Sequence, residues 1–283
     1  MPTPAQKLRA LINSGTHFFA ADAYSALTAR IVERVGFPAA YLGGHACSAF
    51  HYAMPDYGIF SQVEQIEQAS RIAAVIDIPL IVDADTLGET VADAFHFTRR
   101  YVRAGIAGIH VEDEVNPKHS TYASGLARID DMQAKLQACV KARGDSEFVL
   151  IARCDELYLS KHRGGGSGSV EEAIRRGKAY AEAGADVLVY PGASPDANAE
   201  LVAAMPIPVC VLGPAVPPTA FALFTGFGWM GAVQLHIERA RTLLETGTLK
   251  IDPNIEAKKF LIEEDLYDEL IEDWATKTGR PTR

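Results

Sequence analysis

The sequence predicts one (β/α)8 TIM-type barrel of the α/β class, followed by an extra C-terminal helical segment, and three observations predict it. Short apolar runs rich in branched and aromatic residues alternate with longer segments of helical period, the pattern of parallel strands joined by crossover helices. Several helical segments end in a glycine just before the next strand, at Gly36, Gly105 and Gly184, as left-handed helix termination requires. No early GxGxxG fingerprint or P-loop supports an open nucleotide-binding sheet, which favours closure. The 283 residues show no break in composition, so we expect a catalytic barrel over residues 1–250 and a helical tail over 251–283.

Seven strands are expected over residues 18–22, 39–42, 79–83, 108–112, 148–153, 186–189 and 208–212, with a weaker eighth over 227–232. Helices are expected between them, over residues 26–35, 62–76, 90–104, 130–142, 170–183 and 198–204. Two segments depart from the rhythm. Residues 160–169, with Arg163 followed by three glycines, read as a surface loop or a lid, and lack the ending of a phosphate-binding loop. Residues 255–278 read as an acidic amphipathic helix whose Phe260, Leu261, Leu266, Leu270, Ile271 and Trp274 recur at near-helical spacing. That is more apolar surface than a free tail exposes, so it is expected to dock on its own barrel or on a neighbouring subunit.

Composition narrows the function classes. A formal charge of -9 repels nucleic-acid phosphates and anionic membranes, so neither is an expected partner. An anionic substrate then needs a locally positive site. The four cysteines, Cys47, Cys139, Cys154 and Cys210, form no CxxC pair, and no signal-peptide core or long apolar stretch occurs, which together point to a reducing cytoplasm.

In a parallel barrel the reactive groups sit at the carboxyl ends of the strands. Strand three ends in Asp83 and Asp85, which project to one side at the strand period of two. Strand four ends in Glu112 and Asp113, and the loop after strand two carries Asp56. Converging carboxylates raise one another's pKa values unless a cation is present, or else they merely cap helices. All-oxygen ligands suit Mg2+ or Mn2+, and no His/Cys cluster points to zinc. Arg153, ending strand five, can bind a substrate carboxylate in two-pronged fashion or serve as a structural ion pair with Glu112 or Asp155. Gly43 and Gly44 offer backbone amides to an anion or make a tight turn, and Tyr41 bonds the substrate or packs in the barrel.

The ordered series Tyr41-Leu42-Gly43-Gly44, Pro55-Asp56, Asp83-Ala84-Asp85-Thr86, Val111-Glu112-Asp113, Pro117-Lys118, Ile151-Ala152-Arg153 and Ala183-Gly184-Ala185-Asp186 resembles the isocitrate lyase and phosphoenolpyruvate mutase superfamily over residues 5–212. The resemblance implies a Mg2+ ion held directly by Asp83 and largely through water by Asp56, Asp85 and Glu112, and a gating loop after strand four. It also implies a homotetramer, a dimer of dimers, in which the C-terminal helix is exchanged between subunits. The gating loop departs from the lyase pattern: it reads Pro117-Lys118-His119-Ser120-Thr121, without the cysteine that donates a proton in lyases. Gly43, Pro191 and Leu212 replace the serine, the Glu or His, and the Asn usual at those places. The metal end is preserved and the substrate end is rewritten.

The expected activity is therefore a Mg2+-dependent lyase that cleaves a carbon–carbon bond of a small 2-hydroxy or 2-oxo di- or tricarboxylate through a pyruvate-like enolate. Arg153 and the Gly43 and Gly44 amides would face the developing charge, Lys118 would neutralise the substrate anion, and Ser120 would contact the substrate. His119, an imidazole of near-neutral pKa on a closing loop spanning residues 116–125, would protonate the enolate. The alternatives are a phosphonopyruvate hydrolase or phosphoenolpyruvate mutase type of enzyme, an oxaloacetate decarboxylase, and a non-catalytic small-acid binder.

Overall fold

Eight parallel strands close on themselves in sequence order in the computed structural model. It describes residues 1–120, 125–162, 167–214, 218–251 and 255–279, with the backbone alone at 162 and 255–258. The strands are β1 (Phe18–Asp22), β2 (Ala39–Leu42), β3 (Leu80–Asp83), β4 (Gly108–Glu112), β5 (Val149–Arg153), β6 (Val187–Val189), β7 (Val209–Leu212) and β8 (Phe221–Phe224). Seven lie where the alternating runs put them. The eighth expectation is corrected: residues 227–232 open a helix, and the closing strand is the shorter run before Gly226. Pairing decides this, because Phe221 aligns with Phe18 and their rings stack at 4.8 Å, so that only this run completes the interior layer.

Strand period two sorts the side chains into two layers. Phe18 and Ala20, Ala39 and Tyr41, Val149 and Ile151, and Phe221 and Leu223 face the barrel axis, and Leu8 belongs to the same interior cluster. Leu8 comes from α1 (Pro4–Asn13), a helix the sequence reading missed although Thr3 and Gln6 form a capping box at its start. The intervening residues, among them Leu42, Val82, Ile109 and Leu150, pack outward under the helices. Those helices are α2 (Ala26–Val35), α3 (Gly44–Tyr52), α4 (Gln62–Ala73), α5 (Val91–Arg103), α6 (Ile129–Arg143), α7 (Glu156–His162), α8 (Val170–Glu182) and α9 (Pro195–Ala204). Gly36 and Gly184 take φ of 103° and 100° at the ends of α2 and α8, the left-handed turn expected of them.

The chain divides into two compact units, Met1–Gly231 and Ala232–Arg283. The second holds most of α10 (Phe227–Thr246) together with α11 (Ile255–Ile262) and α12 (Glu264–Thr278). The expected single tail helix is thus two helices, broken where Glu263 adopts a φ of 57°. The loop expected over 160–169 begins as the end of α7, and its Arg163 and glycines lie outside the described residues. No helix among the described residues is long and apolar enough to cross a membrane. All four cysteines are buried and unpaired with one another.

Candidate active site

The inward positions continue past the interior layer to the carboxyl ends of the strands, and there they change character. Two residues beyond Ile81 comes Asp83, two beyond His110 comes Glu112, and two beyond Ile151 comes Arg153. Asp83, Glu112 and Arg153 are 4%, 1% and 4% exposed, so their charges must be matched within the protein. Asp113 points the other way, as alternation requires. It accepts hydrogen bonds from Tyr180 Oη at 2.6 Å and Arg176 Nη1 at 3.1 Å, and so belongs to the helix layer and not to the site.

The Asp83-Ala84-Asp85 turn is held from two sides. Gln62 Nε2 donates to the Ala84 carbonyl at 2.8 Å, and Gln65 Nε2 donates to the Asp83 carbonyl. On the inner side Asp83 Oδ2 accepts from the Gly44 amide at the start of α3 at 3.1 Å, while Asp83 Oδ1 accepts from the Asp85 amide at 3.0 Å. Gly44 is therefore turned toward a carboxylate of the protein itself, not presented bare to a ligand. It must be glycine: a Cβ there would lie 2.6 Å from Asp85 Oδ1 and 3.1 Å from Asp83 Oδ2. Asp85 sits at a φ of 49°, a strained conformation for a non-glycine residue of the kind that collects at functional sites.

Lys118 supplies the counter-charge. Its ammonium is fully buried, 2.7 Å from Asp85 Oδ1, 2.9 Å from Asp56 Oδ1 and 3.3 Å from Glu112 Oε1. This lysine, expected to neutralise a substrate anion, instead delivers its charge on a long stem among the carboxylates at the mouth of the barrel. Burial works to lower its pKa, but Asp85, Glu112, Asp56 and Asp83 hold it well above the ordinary value. The Asp85 carboxyl nevertheless lies well above its ordinary range, through burial first and then through Asp83, Asp56 and Glu112, which together outweigh Lys118. Both directions have one cause: the ammonium keeps its proton, and the surplus negative charge falls on Asp85. Asp83 moves the opposite way, because His110, Lys118 and Arg153 outweigh its burial.

This surplus is the test of whether a metal fits. Three carboxylate oxygens converge within 3.3 Å of one point, and neither Glu112 oxygen accepts a hydrogen bond. Hard oxygen donors around a point short of positive charge suit a divalent cation of the Mg2+ or Mn2+ kind. Asp56, Asp85 and Glu112 are thus brought together around Lys118, with Asp83 beside them. Among the described residues, the group whose metal-capable atoms lie within 4.8 Å of one another is a different one, Glu112, Glu114 and His119.

Arg153 realises the ion-pair alternative. Its Nη2 donates to Asp155 Oδ1 at 2.9 Å, its Nε lies 2.7 Å from Asp155 Oδ2, and its Nη1 lies 3.0 Å from Glu112 Oε2. Tyr41 Oη lies 2.9 Å from His110 Nε2, and His110 Nδ1 lies 3.4 Å from Asp83 Oδ1, so the tyrosine reaches Asp83 through a histidine. His110 was not singled out from the sequence. Its signal was its place two residues before Glu112 on the same strand.

His119 enters the mouth but not as the near-neutral imidazole expected. Burial first, and then the Lys118 charge, lower its pKa to about 3, so the ring is uncharged at neutral pH. Its Nε2 lies 3.0 Å from Glu114 Oε1, and its backbone N–H donates to Glu114 Oε2 at 2.8 Å. Burial, followed by the Glu112 charge, raises Glu114 to about 7. Of the two it is the carboxyl that titrates near neutral pH, and Glu114 is the partner that sequence reasoning missed. Its position two residues beyond Glu112 carried the signal. Ser120 is half-buried beyond His119 and does not line the cavity at the barrel mouth; residues 121–124 of the expected loop lie outside the described residues.

That cavity measures about 240 Å3 and is lined by Tyr41, Gly43, Gly44, Asp56, Asp83, His119 and Arg153 on its charged side. His45, Tyr158, Pro191, Leu212, Thr225, Gly226, Trp229 and Met230 line the rest of it. Its size suits a molecule smaller than the drug-sized ligands that fill pockets of about 300 Å3 and more.

The chain is similar to several known proteins. The chain is 33% identical over 199 residues to 2,3-dimethylmalate lyase of Eubacterium barkeri, covering 70% of this chain and 65% of that protein. It is 37% identical over 191 residues to phosphonopyruvate hydrolase of Variovorax sp. (strain Pal2), covering 66% of this chain and 63% of that protein. The match thus spans just under two thirds of these relatives' own length. Among solved structures, phosphonopyruvate hydrolase in complex with oxalate and Mg2+ is similar at a TM-score of 0.82 and 28% identity, covering 95% of this chain and 98% of that one. Oxaloacetate acetylhydrolase in complex with the inhibitor 3,3-difluorooxaloacetate is similar at a TM-score of 0.85 and 25% identity, covering 99% of both chains. The family described as phosphoenolpyruvate phosphomutase matches residues 8–228, from α1 into α10 and through every strand of the barrel. The chain belongs to that family, within the isocitrate lyase and phosphoenolpyruvate mutase superfamily that its motifs resemble.

Proposed function

We propose that the chain is a Mg2+-dependent lyase that breaks a carbon–carbon bond of a small 2-hydroxy or 2-oxo carboxylate by way of a pyruvate-like enolate. The observation that carries the reading is the convergence of Asp56, Asp85 and Glu112 on one cation-seeking point beside Asp83, at the edge of a small cavity that Arg153 also lines. When bound, Mg2+ would polarise the carboxylate end of the substrate as a Lewis acid. Asp83, fixed by the Gly44 and Asp85 amides, is the residue best placed to hold the ion, with Asp56, Asp85 and Glu112 around it.

The chain's own groups would do the rest. Arg153, held rigid by Asp155, would turn its Nη1 edge to the substrate carboxylate, and Tyr41 would keep His110 and hence Asp83 in place. Lys118 would leave the acidic point for the substrate anion. Glu114, which titrates near neutral pH, would supply a proton to the enolate carbon through the His119 ring. Closure of the loop that carries them would exclude water.

Phosphonopyruvate cleavage is the second reading, favoured by the 37% identity to phosphonopyruvate hydrolase. Oxaloacetate, 2-methylisocitrate, 2,3-dimethylmalate, citramalate and phosphonopyruvate, each supplied with Mg2+ and assayed for pyruvate, glyoxylate and phosphate, separate the two. Pyruvate or glyoxylate without phosphate is the expected result, and phosphate from phosphonopyruvate alone would overturn it.

Assembly of the chain with copies of itself is part of the same proposal. The second unit exposes Phe260, Leu266, Leu270 and Trp274, at 57%, 50%, 58% and 48%. So much apolar side chain in one short helical segment supports its packing on a second copy.

A further inference from the structure

Three of the groups that meet at the metal point stand on connecting segments and not on strands: Asp56 after α3, Asp85 after β3 and Lys118 after β4. Their backbones must therefore be held in register by other contacts. The turn after β3 is the fixed one. Asp85 and Leu87 take φ of 49° and 56° there, conformations that persist only where the surroundings over-determine them. Lys135 Nζ, reaching across from α6, donates to the Thr86 and Gly88 carbonyls at 3.1 and 2.5 Å. The Glu112 amide donates to the Asp85 carbonyl at 3.0 Å, and the Leu87 side chain is fully buried.

Asn116 joins the other two segments to this turn. Its Nδ2 donates to Thr86 Oγ1 at 3.0 Å and to Glu89 Oε1 at 2.7 Å. Its amide oxygen packs on Gly58, where a Cβ would overlap it. Thr86 lies one residue beyond Asp85, Gly58 two beyond Asp56, and Asn116 itself two before Lys118. The Lys118 ammonium then reaches Asp85 at 2.7 Å and Asp56 at 2.9 Å. Asn116 lines a separate cavity of about 360 Å3 with Thr86, Glu89 and Lys135, and is not among the residues lining the mouth cavity. It can thus act on the metal point only through the segments that it ties together.

We infer that Asn116 is a positioning residue: by clasping the segment that carries Lys118 to the Thr86–Glu89 turn, it keeps the ammonium at the metal point until a metal and a substrate anion take its place there. This rests on the proposed metal end and on the move of Lys118 to the anion. A tethered group competes at its local concentration, which falls when the tether loosens. Asn116→Ala should therefore tighten Mg2+ binding and, in saturating Mg2+, weaken binding of oxalate. Calorimetry on the full-length protein should show about fivefold for each, the worth of the one or two hydrogen bonds removed. In a Lys118→Met background both changes should vanish, because the clasp acts through the lysine. A residue that only stabilised the fold would weaken both ligands, with or without the lysine.

Equal changes in the two backgrounds, or none in the first, overturn the inference, and Mg2+ binding by the wild type then leaves the metal end standing. A wild type that binds no Mg2+ overturns both. Thr86→Val keeps the shape of the side chain and breaks the clasp from the other side, so it should move the two affinities in the same opposite directions. It decides the matter if Asn116→Ala does not fold, since unchanged affinities in Thr86→Val overturn the inference equally.

Discussion

The two halves of the barrel mouth are built on the same backbone and solve opposite problems. The ends of β2 to β5 gather Asp56, Asp83, Asp85, Glu112, Lys118 and Arg153, where each charge is held by another and all but the half-buried Asp56 are buried. The ends of β6 to β8 offer Pro191, Leu212 and Thr225, with Trp229 from the start of α10. The charged half cannot change one residue without stranding its neighbours, because an unpaired buried charge costs several kcal/mol, on the order of 3–5. The apolar half is coupled only by shape, where exchanges of similar volume cost less, roughly under 1.5 kcal/mol. One fold can thus keep its chemistry and change its substrate.

The largest effect is expected in the charged half. Asp83→Ala should abolish Mg2+ binding in calorimetry, because it removes the carboxylate that the Gly44 and Asp85 amides hold in place. Unchanged affinity would break the division at its centre.

The apolar half has a pH signature through Asp22. Burial raises its carboxyl from 3.8 to about 6, against the lowering effect of the Gly226 and Trp229 amides. The folded state holds this proton more tightly than the unfolded chain. The stabilisation is therefore fully present below about pH 3.8 and is lost as the pH rises through about 6. Denaturation of the wild type relative to Asp22→Asn should show a difference falling by about 3 kcal/mol over that window. Parallel curves would show that the carboxyl titrates as it does in the unfolded chain.

His119→Gln should lower turnover by about a hundredfold, with little change in substrate affinity. Glu114→Gln should cost as much, and the double variant little more than either, because the two act as one proton carrier. Additive losses would separate them, and near-wild-type turnover in His119→Gln would reduce the loop to a lid. The smallest effect runs in the opposite direction. Lys118→Met should tighten Mg2+ binding in the absence of substrate by about tenfold, since an ammonium no longer competes for the point between Asp56, Asp85 and Glu112. Weaker binding would show that the metal sits elsewhere, with Glu112, Glu114 and His119 the next group to test.

The sequence by itself determined the barrel and the list of its charged strand ends. Both follow from local rules: alternation with period two, helices closed by glycine, and the order of Asp83, Asp85, Glu112 and Arg153 at successive ends. It misplaced the eighth strand because nothing local sets the apolar run of residues 221–224 above that of 227–232, and only its alignment with Phe18 makes it the closing strand. Tertiary structure alone decided what each charge does. That Lys118 is buried among Asp56, Asp85 and Glu112 and that Gly44 serves Asp83 depend on residues far apart in the chain meeting at one mouth, and even the near neighbours His119 and Glu114, and Arg153 and Asp155, owe their charge states to burial there. The physical reason is that a pKa or an ion pair is a property of distance and burial, and neither is encoded in the spacing of residues along the chain.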